Sequence, residues 1–322
     1  MKQMIALIGY GYWGKKIYGY LKDSDKFNLC YVFAPSFKTY ARERLNQKLG
    51  KEFVGDINHI WNDRKVNNVV IATPIDTHFD VACQALAHSK NILIEKPLAM
   101  TMNEAESLAK LARLKGRIIE TEFTYTYSKA LAKAKDLVLR GAIGKVKSLE
   151  ISFKQLGRFL PYDVYLLLAS HSLSILDMFL PLEECAFSAL PLMNVNKVVT
   201  SALITFKSKS KSCRGFIDIS LHCPERVKKT VIFGENGTIV YAPDTDAALT
   251  VTLYKKDNAL LAKDLIKDSR SFNFDESNNL KNALENFHNV LSGKKPCNIE
   301  RSLSVNKALK SLRISKKRRE NG

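Results

Sequence analysis

The sequence of 322 residues lacks an apolar run long enough to cross a membrane, and none of its six cysteines belongs to a Cys-x-x-Cys pair. The short apolar runs exclude a transmembrane helix. The segment Met1–Ile8 lacks the charged, apolar and small-residue regions of a secretory signal. Cysteines so scattered are typical of reduced thiols, and they predict neither a metal site nor a disulfide framework. We therefore expect a cytoplasmic protein with no membrane partner.

Acidic residues are also scarce. The sequence has 32 acidic residues and 50 lysines and arginines, which gives a net charge of +18. Such an excess is typical of nucleic-acid-binding proteins, or of a lysine-rich surface reinforced by anionic ligands. The basic residues are spread along the chain, with denser clusters only at 207–211 and 316–319. No zinc-finger or RNP-type motif accompanies them. The composition therefore favours a small-molecule partner and no nucleic acid.

A glycine-rich turn follows the first predicted strand. Met4–Ile8 is apolar throughout, and Lys15–Leu21 predicts a helix. Between them lies a Gly-x-Gly-x-x-Gly motif in the strand-then-helix context that a dinucleotide site requires. Its glycines permit a tight turn and a close approach of the backbone to a pyrophosphate, which the helix N-terminus then faces. The predicted cofactor-binding residues here are Gly9, Tyr10, Gly11, Tyr12, Trp13 and Gly14.

The second predicted strand, 28–33, lacks the carboxylate that would bind the ribose hydroxyls of NAD. No acidic residue occurs between Lys26 and Glu43. Ser36 and Lys38, with Arg42 beyond them, could instead hold a 2′-phosphate. We therefore expect NADP(H) to be preferred over NAD(H). The alternative is that Lys38 and Arg42 are ordinary surface charges of the next helix.

A lysine stands where a buried strand ends. Ile92–Ile94 is a short apolar run, which predicts a strand buried on both faces, and Pro97 ends it. Glu95 and Lys96 therefore lie at the carboxyl end of this strand. Ligands bind at that end of an open parallel sheet, and lysine is rarely buried without a partner. Lys96 is thus a candidate proton-transfer group.

Strands and helices alternate over the first 120 residues. A strand is predicted at 69–72, helices at 79–89 and 104–115, and a further strand at 118–119. Alternation of this kind predicts an α/β domain built on a doubly wound parallel sheet.

In order and spacing, four motifs of this sequence resemble those of the Gfo/Idh/MocA oxidoreductases. They are Gly9–Gly14, Ala72-Thr73-Pro74, Thr77-His78 and Glu95-Lys96-Pro97. The resemblance implies an NAD(P)-binding Rossmann domain over 1–121. It also implies a substrate-binding and oligomerisation domain over 122–322, an α/β domain with a large, mostly antiparallel open sheet. The C-terminal helix could pack back on the first domain.

The same resemblance assigns roles to residues. Lys96 would be the catalytic lysine, and it would also contact the cofactor and the substrate. Thr73, Pro74 and His78 would line the cofactor side, while Glu95 would fix the loop. A homodimer or homotetramer through the C-terminal sheet is the family expectation.

A predicted helix at 162–179 resembles the one that carries the family's catalytic histidine, here His171. The Ser-Ile-Leu after this histidine resembles members from sugar-nucleotide and surface-polysaccharide pathways. A lone histidine on an apolar helix is otherwise typical of a hydrogen-bonded core residue. By the same resemblance, Tyr125, Tyr127 and Asp163 would join Lys96 and His171 in contacting the substrate.

One departure from the family concerns an acid. Many members carry an aspartate one helical turn before the histidine, on the same face, where this chain has Leu167. The next family acid is replaced by Ser172, and Asp163 is a weak substitute two turns away. The change removes a partner that would tune proton transfer.

The predicted function is NAD(P)-dependent hydride transfer to or from a carbonyl or hydroxyl carbon of a sugar or sugar nucleotide. The cofactor performs the hydride chemistry, and Lys96 exchanges the proton with the substrate oxygen, assisted by His171. Two alternatives stay open. One is an NADPH-dependent imine or thioimine reductase, for which a single proton donor is enough. The other is a nucleotide-binding scaffold with weakened catalysis, suggested by Leu167 and Ser172.

Overall fold

The computed structural model describes residues 2–34, 50–210, 212–254 and 266–320. The chain forms two compact units. The first unit comprises Met1–Phe123 and Leu280–Asn306, and the second comprises Thr124–Asn279 and Lys307–Gly322. The segment Leu280–Asn306 thus lies within the first unit.

The first unit contains a parallel sheet of six strands. In chain order they are β1 (Gln3–Ile8), β2 (Phe27–Phe33), β3 (Phe53–Val54), β4 (Asn68–Ile71), β5 (Asn91–Glu95) and β6 (Ile119–Glu122). Their order across the sheet is β3-β2-β1-β4-β5-β6, and every pairing is parallel. This is the strand order of a doubly wound dinucleotide-binding sheet. The predicted fold of the first domain is therefore confirmed.

The second unit contains a sheet of eight strands. They are β7 (Val146–Leu156), β8 (Cys185–Val195), β9 (Val198–Ser208), β10 (Arg214–Ser220), β11 (His222–Gly234), β12 (Gly237–Tyr241), β13 (Leu249–Tyr254) and β14 (Ile266–Phe272). The order across the sheet is β14-β13-β12-β11-β7-β10-β9-β8. Among the described strands of this sheet, only the pair β7–β10 is parallel. The predicted large, mostly antiparallel sheet is also confirmed.

Helices connect and flank these strands. They are α1 (Tyr12–Lys22), α2 (Asn58–Asn62), α3 (His78–Ala87), α4 (Met102–Lys115), α5 (Lys129–Leu139), α6 (Ser170–Leu176), α7 (Asn279–Leu291) and α8 (Ile299–Glu320). A capping box between Thr101 and Glu104 begins α4, and Gly116 in the left-handed region ends it. Within the part of the chain that the structure describes, no helix combines the length and the hydropathy needed to span a bilayer.

Apolar side chains cover both faces of the six-stranded sheet. Alternate residues of β1 point to opposite faces, so Ile5 and Leu7 join one buried cluster while Ala6 and Ile8 join the other. The apolar stripe of α7 packs into the first of these clusters through Leu280, Leu284 and Phe287. This burial explains why a segment close to the C-terminus belongs to the first unit.

The helix that carries His171 is shorter and less regular than predicted. Instead of one helix over 162–179, a π-helical turn at Tyr165–Ala169 leads into α6. After α6, Met178 and Phe179 donate to carbonyls three residues back, at Ile175 and Leu176. Such bonds tighten the last turn of a helix, and π-turns occur often at functional sites.

Candidate active site

Two of the three motif glycines are required by the backbone itself. Gly9 has φ of +102°, and a Cβ on it would lie 2.5 Å from the Ala72 carbonyl oxygen. A Cβ on Gly14 would lie 2.2 Å from the carbonyl oxygen of Gly9. Gly11 differs, since a Cβ there would have no neighbouring atom of a described residue within 4 Å. Gly9 and Gly14 therefore serve the turn, whereas Gly11 leaves open space beside the backbone.

The N-terminus of α1 fits an anionic group. Gly11 is the N-cap of this helix, no side chain of a described residue caps it, and the first turn contains no acidic residue. The first backbone N–H groups of a helix need acceptors, and the helix dipole favours negative charge there. Lys16 adds a cation, with its Nζ 4.6 Å from the Tyr12 ring centroid and 4.7 Å from that of Trp13.

The aromatic residues of the motif lie in different surroundings. Tyr10 packs edge-on against Phe53 and Tyr18, with ring centroids 4.9 and 5.5 Å apart. Tyr12 is 56% exposed, and its ring meets that of Trp13 edge-on at 5.3 Å. Tyr10 therefore packs within the first unit, whereas more than half of the Tyr12 side chain is exposed to solvent.

The predicted 2′-phosphate residues Ser36 and Lys38, with Arg42, lie outside the described residues. The described part of β2 ends with Phe33, whose carbonyl oxygen accepts a hydrogen bond of 2.8 Å from the Gly9 N–H. The end of β2 thus adjoins the glycine turn. The preference between NADP(H) and NAD(H) stays a prediction.

His78 links the loop after β4 to the loop after β5. Its Nδ1 lies 3.0 Å from the Pro97 carbonyl oxygen, and its Nε2 lies 3.1 Å from the Thr73 carbonyl oxygen. The side chain is buried, and burial lowers its pKa to about 4. The neutral ring donates to one carbonyl only. His78 therefore joins the two loops from within the protein.

Thr73, Pro74 and Thr77 form a small hydrogen-bonded turn at the end of β4. The Thr77 hydroxyl lies 2.7 Å from the Thr73 hydroxyl and 2.7 Å from the Pro74 carbonyl oxygen. Ala72, just before this turn, donates its N–H to the Ile8 carbonyl. The turn after β4 is therefore attached to β1, the strand that leads into the glycine motif.

Glu95 and Lys96 lie at the carboxyl end of β5, as the sequence predicts. Glu95 is the last residue of the strand and only 7% exposed. Burial raises its pKa to about 7, while the positive charge of Lys96 and a hydrogen bond from the Lys96 backbone oppose that rise. Its Oε1 accepts no hydrogen bond from any described residue. A carboxyl group that titrates near neutrality thus adjoins the candidate catalytic lysine.

In the second unit, His171 lies within a cluster of aromatic rings. The Tyr125 ring meets it edge-on at 5.1 Å, and the Phe153 ring stacks on it at 5.9 Å. Tyr125 also meets Phe153 edge-on at 5.0 Å. The Lys228 ammonium lies 5.4 Å from the centroid of the Tyr125 ring. The structure therefore brings together Tyr125 and His171 from the predicted residues, and adds Phe153 and Lys228.

The Asp163 side chain contacts strand β9 and helix α8. Its Oδ1 accepts a hydrogen bond of 3.0 Å from the Val199 N–H in β9, and its Oδ2 lies 3.7 Å from the Arg313 guanidinium in α8. Its carbonyl oxygen accepts from Leu166 and Leu167 at the start of the π-turn. These contacts give Asp163 a role in fixing the segment that precedes His171.

Tyr125 and Tyr127 belong to a short 3-10 segment, Thr124–Tyr127, whose end is fixed by Glu276. The Glu276 Oε1 accepts a hydrogen bond of 2.9 Å from the Ser128 hydroxyl, and the Glu276 Oε2 accepts one of 2.8 Å from the Tyr241 hydroxyl. Sequence reasoning missed Glu276, because nothing local marks an acid whose partners are distant in the chain. It missed Phe153 and Lys228 as well, although period-two alternation along β7 could have placed Phe153 on the buried face.

No group of three or more metal-ligating side chains occurs among the described residues. The open space at Gly11 and the uncapped start of α1 instead fit the pyrophosphate of a dinucleotide. The lack of acidic side chains in that turn agrees with the same group.

Comparison with known proteins agrees with this geometry. Residues 4–123 match a family model described as an oxidoreductase family with an NAD-binding Rossmann fold. Among curated relatives, the dTDP-3,4-didehydro-2,6-dideoxy-alpha-D-glucose 3-reductase of Streptomyces violaceoruber is 34% identical over 90 residues. That match covers 28% of this chain and 26% of the relative. For two further curated relatives, the match covers 42% of each relative's own length, which is less than half.

Solved structures resemble the whole chain. KijD10, a 3-ketoreductase from Actinomadura kijaniata in complex with NADP and TDP-benzene, gives a TM-score of 0.82 at 17% identity, over 98% of each chain. GenD2 from gentamicin A biosynthesis, in complex with NAD, gives 0.78 at 19% identity, over 98% of this chain and 94% of that one. At these identities the likeness establishes the fold of both units.

Proposed function

We propose that this chain, whose residues 4–123 match an oxidoreductase family with an NAD-binding Rossmann fold, transfers a hydride between a nicotinamide cofactor and a carbonyl or hydroxyl carbon of a sugar or sugar nucleotide. The observation that carries the proposal is the common sheet edge of the glycine turn and Lys96. The turn follows β1 and Lys96 follows β5, and parallel strands end at the same edge. A cation that can exchange a proton thus lies on the cofactor-binding edge of the sheet.

The glycine turn and the start of α1 would hold the cofactor's pyrophosphate, with the loop at Thr73–Pro74 beside them. When bound there, the nicotinamide supplies or accepts the hydride. We propose NADP(H) over NAD(H), because the sequence has no acid between Lys26 and Glu43. One similar solved structure contains NADP and another contains NAD, which supports a nicotinamide cofactor without deciding between NADP(H) and NAD(H).

Lys96 would move the proton that accompanies the hydride. In reduction its ammonium donates a proton to the developing alkoxide, and in oxidation its neutral amine accepts the proton of the hydroxyl. Glu95 precedes Lys96 at the end of β5, and burial raises the pKa of its carboxyl group. His78 supports the position of Lys96 by holding the Pro97 carbonyl.

His171 would contact the substrate in the second unit. The edge-on Tyr125 ring and the stacked Phe153 ring fix the plane of the imidazole. Fixed in this way, it can present a ring nitrogen to a hydroxyl or carbonyl oxygen. Asp163 and the π-turn would position the helix, and we assign no proton transfer to Asp163.

Sugars linked to a nucleotide are the substrate class that we favour. One relative is named a reductase of a dTDP-linked sugar, and one solved relative holds TDP-benzene. A net charge of +18 also favours an anionic substrate, because a positively charged surface raises the local concentration of anions.

We further propose a cytoplasmic homodimer or homotetramer formed through the eight-stranded sheet, whose edge strand β8 exposes Leu190 and Leu192.

The test is consumption of reduced cofactor by the purified chain with a panel of keto-sugar nucleotides, free keto-sugars and cyclic imines. We expect turnover with at least one keto-sugar substrate, and faster turnover with NADPH than with NADH. Turnover of cyclic imines alone would instead support the imine reductase. Tight NADPH binding without turnover across the panel would support the scaffold.

A further inference from the structure

Glu276 accepts hydrogen bonds from parts of the second unit that are distant in the chain. Its Oε1 accepts one of 2.9 Å from the Ser128 hydroxyl and one of 3.4 Å from the Ala130 N–H. Its Oε2 accepts one of 2.8 Å from the Tyr241 hydroxyl and one of 2.9 Å from the Asn279 side-chain amide. An ionised carboxylate only accepts hydrogen bonds, so it suits a position on which four donors converge.

Ser128 connects Glu276 to the segment that carries Tyr125. Ser128 is the N-cap of α5, and its hydroxyl oxygen accepts a hydrogen bond of 3.0 Å from the Leu131 N–H while the hydroxyl donates to Glu276. Its own N–H donates to the Tyr125 carbonyl oxygen at 3.1 Å. The dipole of α5 favours the negative charge of Glu276 at this end of the helix. Glu276 therefore holds the end of the Thr124–Tyr127 segment.

Tyr241 gives Glu276 a second donor that does not change its protonation state. Tyr241 is buried, and burial raises the pKa of its hydroxyl, which the charge of Glu276 and the hydrogen bond to it raise further. Tyr125 adds a smaller rise to the pKa of the same hydroxyl. The Tyr125 side chain therefore lies near the group that Glu276 organises, in addition to the backbone link through Ser128.

The Tyr125 ring is the part of this network that reaches the proposed substrate site. It meets the His171 ring edge-on at 5.1 Å and the Phe153 ring edge-on at 5.0 Å. Edge-on contacts depend on the orientation of both rings, so a displaced Tyr125 would change the direction in which the imidazole faces. A misplacement of about 1 Å at a reacting centre can lower a rate by about 100-fold.

We propose that Glu276 is a positioning residue for the proposed reaction. It holds Tyr125 against His171, and through that contact it sets the direction in which the imidazole faces the sugar. This inference rests on the proposed function, since it takes the His171 cluster as the substrate site. It gives Glu276 no contact with substrate or cofactor and no proton transfer.

The kinetic test is a double-mutant cycle of Glu276→Gln and Tyr125→Leu, measured with a keto-sugar nucleotide and NADPH. Glutamine places an amide donor against groups that themselves donate, so Glu276→Gln should lower kcat/KM by about tenfold. The double variant should lose no more than about twofold beyond Tyr125→Leu, because both changes act through the same ring. Losses that multiply in the double variant would overturn the proposal.

Glu183→Gln is the matched control, because it makes the same chemical change at an exposed residue of the same unit, in the 3-10 turn before β8. It should keep the wild-type kcat/KM. The NADPH affinity of both variants should stay within about twofold of the wild type, since neither residue belongs to the first unit. Equal losses of kcat/KM in the two variants, or a tenfold loss of NADPH affinity in Glu276→Gln, would contradict a role through Tyr125.

NMR of histidine-labelled protein gives a readout that needs no turnover. The Tyr125 and Phe153 rings shift the signals of the His171 imidazole through their ring currents, and His171→Gln identifies those signals among the six histidines. Glu276→Gln should move them in the same direction as Tyr125→Leu does, and Glu183→Gln should leave them in place. Unmoved signals in Glu276→Gln contradict the positioning role even if the enzyme reduces keto-sugars. A shift without turnover supports the positioning of the ring and contradicts the proposed function alone.

A second variant decides the case in which Glu276→Gln folds poorly. Tyr241→Phe keeps the Glu276 carboxylate and its bond to Ser128, and it removes one donor at 2.8 Å. It should move the His171 signals in the same direction by a smaller amount. Signals identical to those of the wild type in Tyr241→Phe would then overturn the proposal.

Discussion

At the scale of single residues, burial of a lysine alone does not identify a functional site. Lys90 and Lys96 flank the same strand, β5. Lys90 is 3% exposed, and its ammonium donates to the carbonyl oxygens of Asp63 and Val66 at 2.8 and 2.7 Å. It lies at the amino end of the strand and closes a loop. Lys96 lies at the carboxyl end, and its place on that edge distinguishes it.

His78 shows how a residue can support the site without contacting substrate. Both ring nitrogens face carbonyl oxygens, which a doubly protonated ring would satisfy, yet burial lowers the pKa to about 4. The cost of burying a charge therefore exceeds the gain from a second hydrogen bond. The ring is neutral when the protein is folded near neutral pH.

The lowered pKa of His78 makes stability depend on acid. Between its ordinary value of 6.5 and about 4, the unfolded chain binds a proton that the folded chain does not, so stability falls as the pH falls through this window. In His78→Gln this contribution is absent. We expect the wild type to lose about 2 to 3 kcal/mol relative to the variant as the pH is lowered from about 7 to about 4.

Urea unfolding at a series of pH values measures this difference. His88→Gln is the matched control, because His88 is an exposed histidine on the loop after α3. It should follow the wild type across the range. Parallel pH curves for His78→Gln and the wild type would contradict the assignment of a neutral, buried ring.

At the scale of elements, the three glycines of the turn after β1 lie in different surroundings. Gly9 and Gly14 are fixed by contacts with backbone atoms, and Gly11 has open space in place of a side chain. The sequence motif treats the three glycines alike. Only the structure assigns them to different roles.

Gly11→Ala should weaken cofactor binding by more than about tenfold while changing the free energy of unfolding by less than about 1 kcal/mol. The added methyl group would occupy the space that we assign to the pyrophosphate, yet among the described residues it meets no neighbouring atom within 4 Å. Fluorescence titration with NADPH and urea unfolding measure the two quantities.

Two other glycines serve as controls for this prediction. Gly14→Ala should destabilise the fold, because its Cβ would meet the Gly9 carbonyl oxygen at 2.2 Å. Gly19→Ala lies within the same helix in open space, and it should bind NADPH normally and be about 0.5 to 1 kcal/mol more stable. If Gly11→Ala binds NADPH as tightly as the wild type does, the assignment of the cofactor's pyrophosphate to this turn is wrong.

Strands β1, β4 and β5 could be predicted because each contains a short apolar run next to turn residues, as at Ile92–Ile94. The two-residue β3 was not predicted, since so short a strand leaves no pattern in the sequence. The π-turn before His171 could not, since its leucines fit a regular helix equally well. Lys228 could not be placed either. Its partner Phe153 is distant in the chain, and only the register of β11 against β7 brings the two together.

At the scale of the whole molecule, the two units differ in how far the sequence defines them. The first unit carries every motif of the proposed cofactor site, and its doubly wound parallel sheet was predicted from the alternation of strands and helices. The second unit has the larger sheet, in which β7 pairs with both β10 and β11. Such non-local pairings determine the face around His171, and no local pattern encodes them. The domain limits, the oligomeric state and the roles of the site residues stay predictions.

The central claim is that Lys96 exchanges the proton during nicotinamide-dependent hydride transfer. The most direct measurement is single-turnover oxidation of NADPH by Lys96→Met, with the best substrate of the panel and with cofactor affinity determined in parallel. Lys110→Met, which removes an exposed lysine from α4, is the control. We predict a rate lower by about 100- to 10,000-fold in Lys96→Met with NADPH affinity retained, the range for loss of a general acid. A rate equal to that of the wild type and of Lys110→Met would contradict the claim.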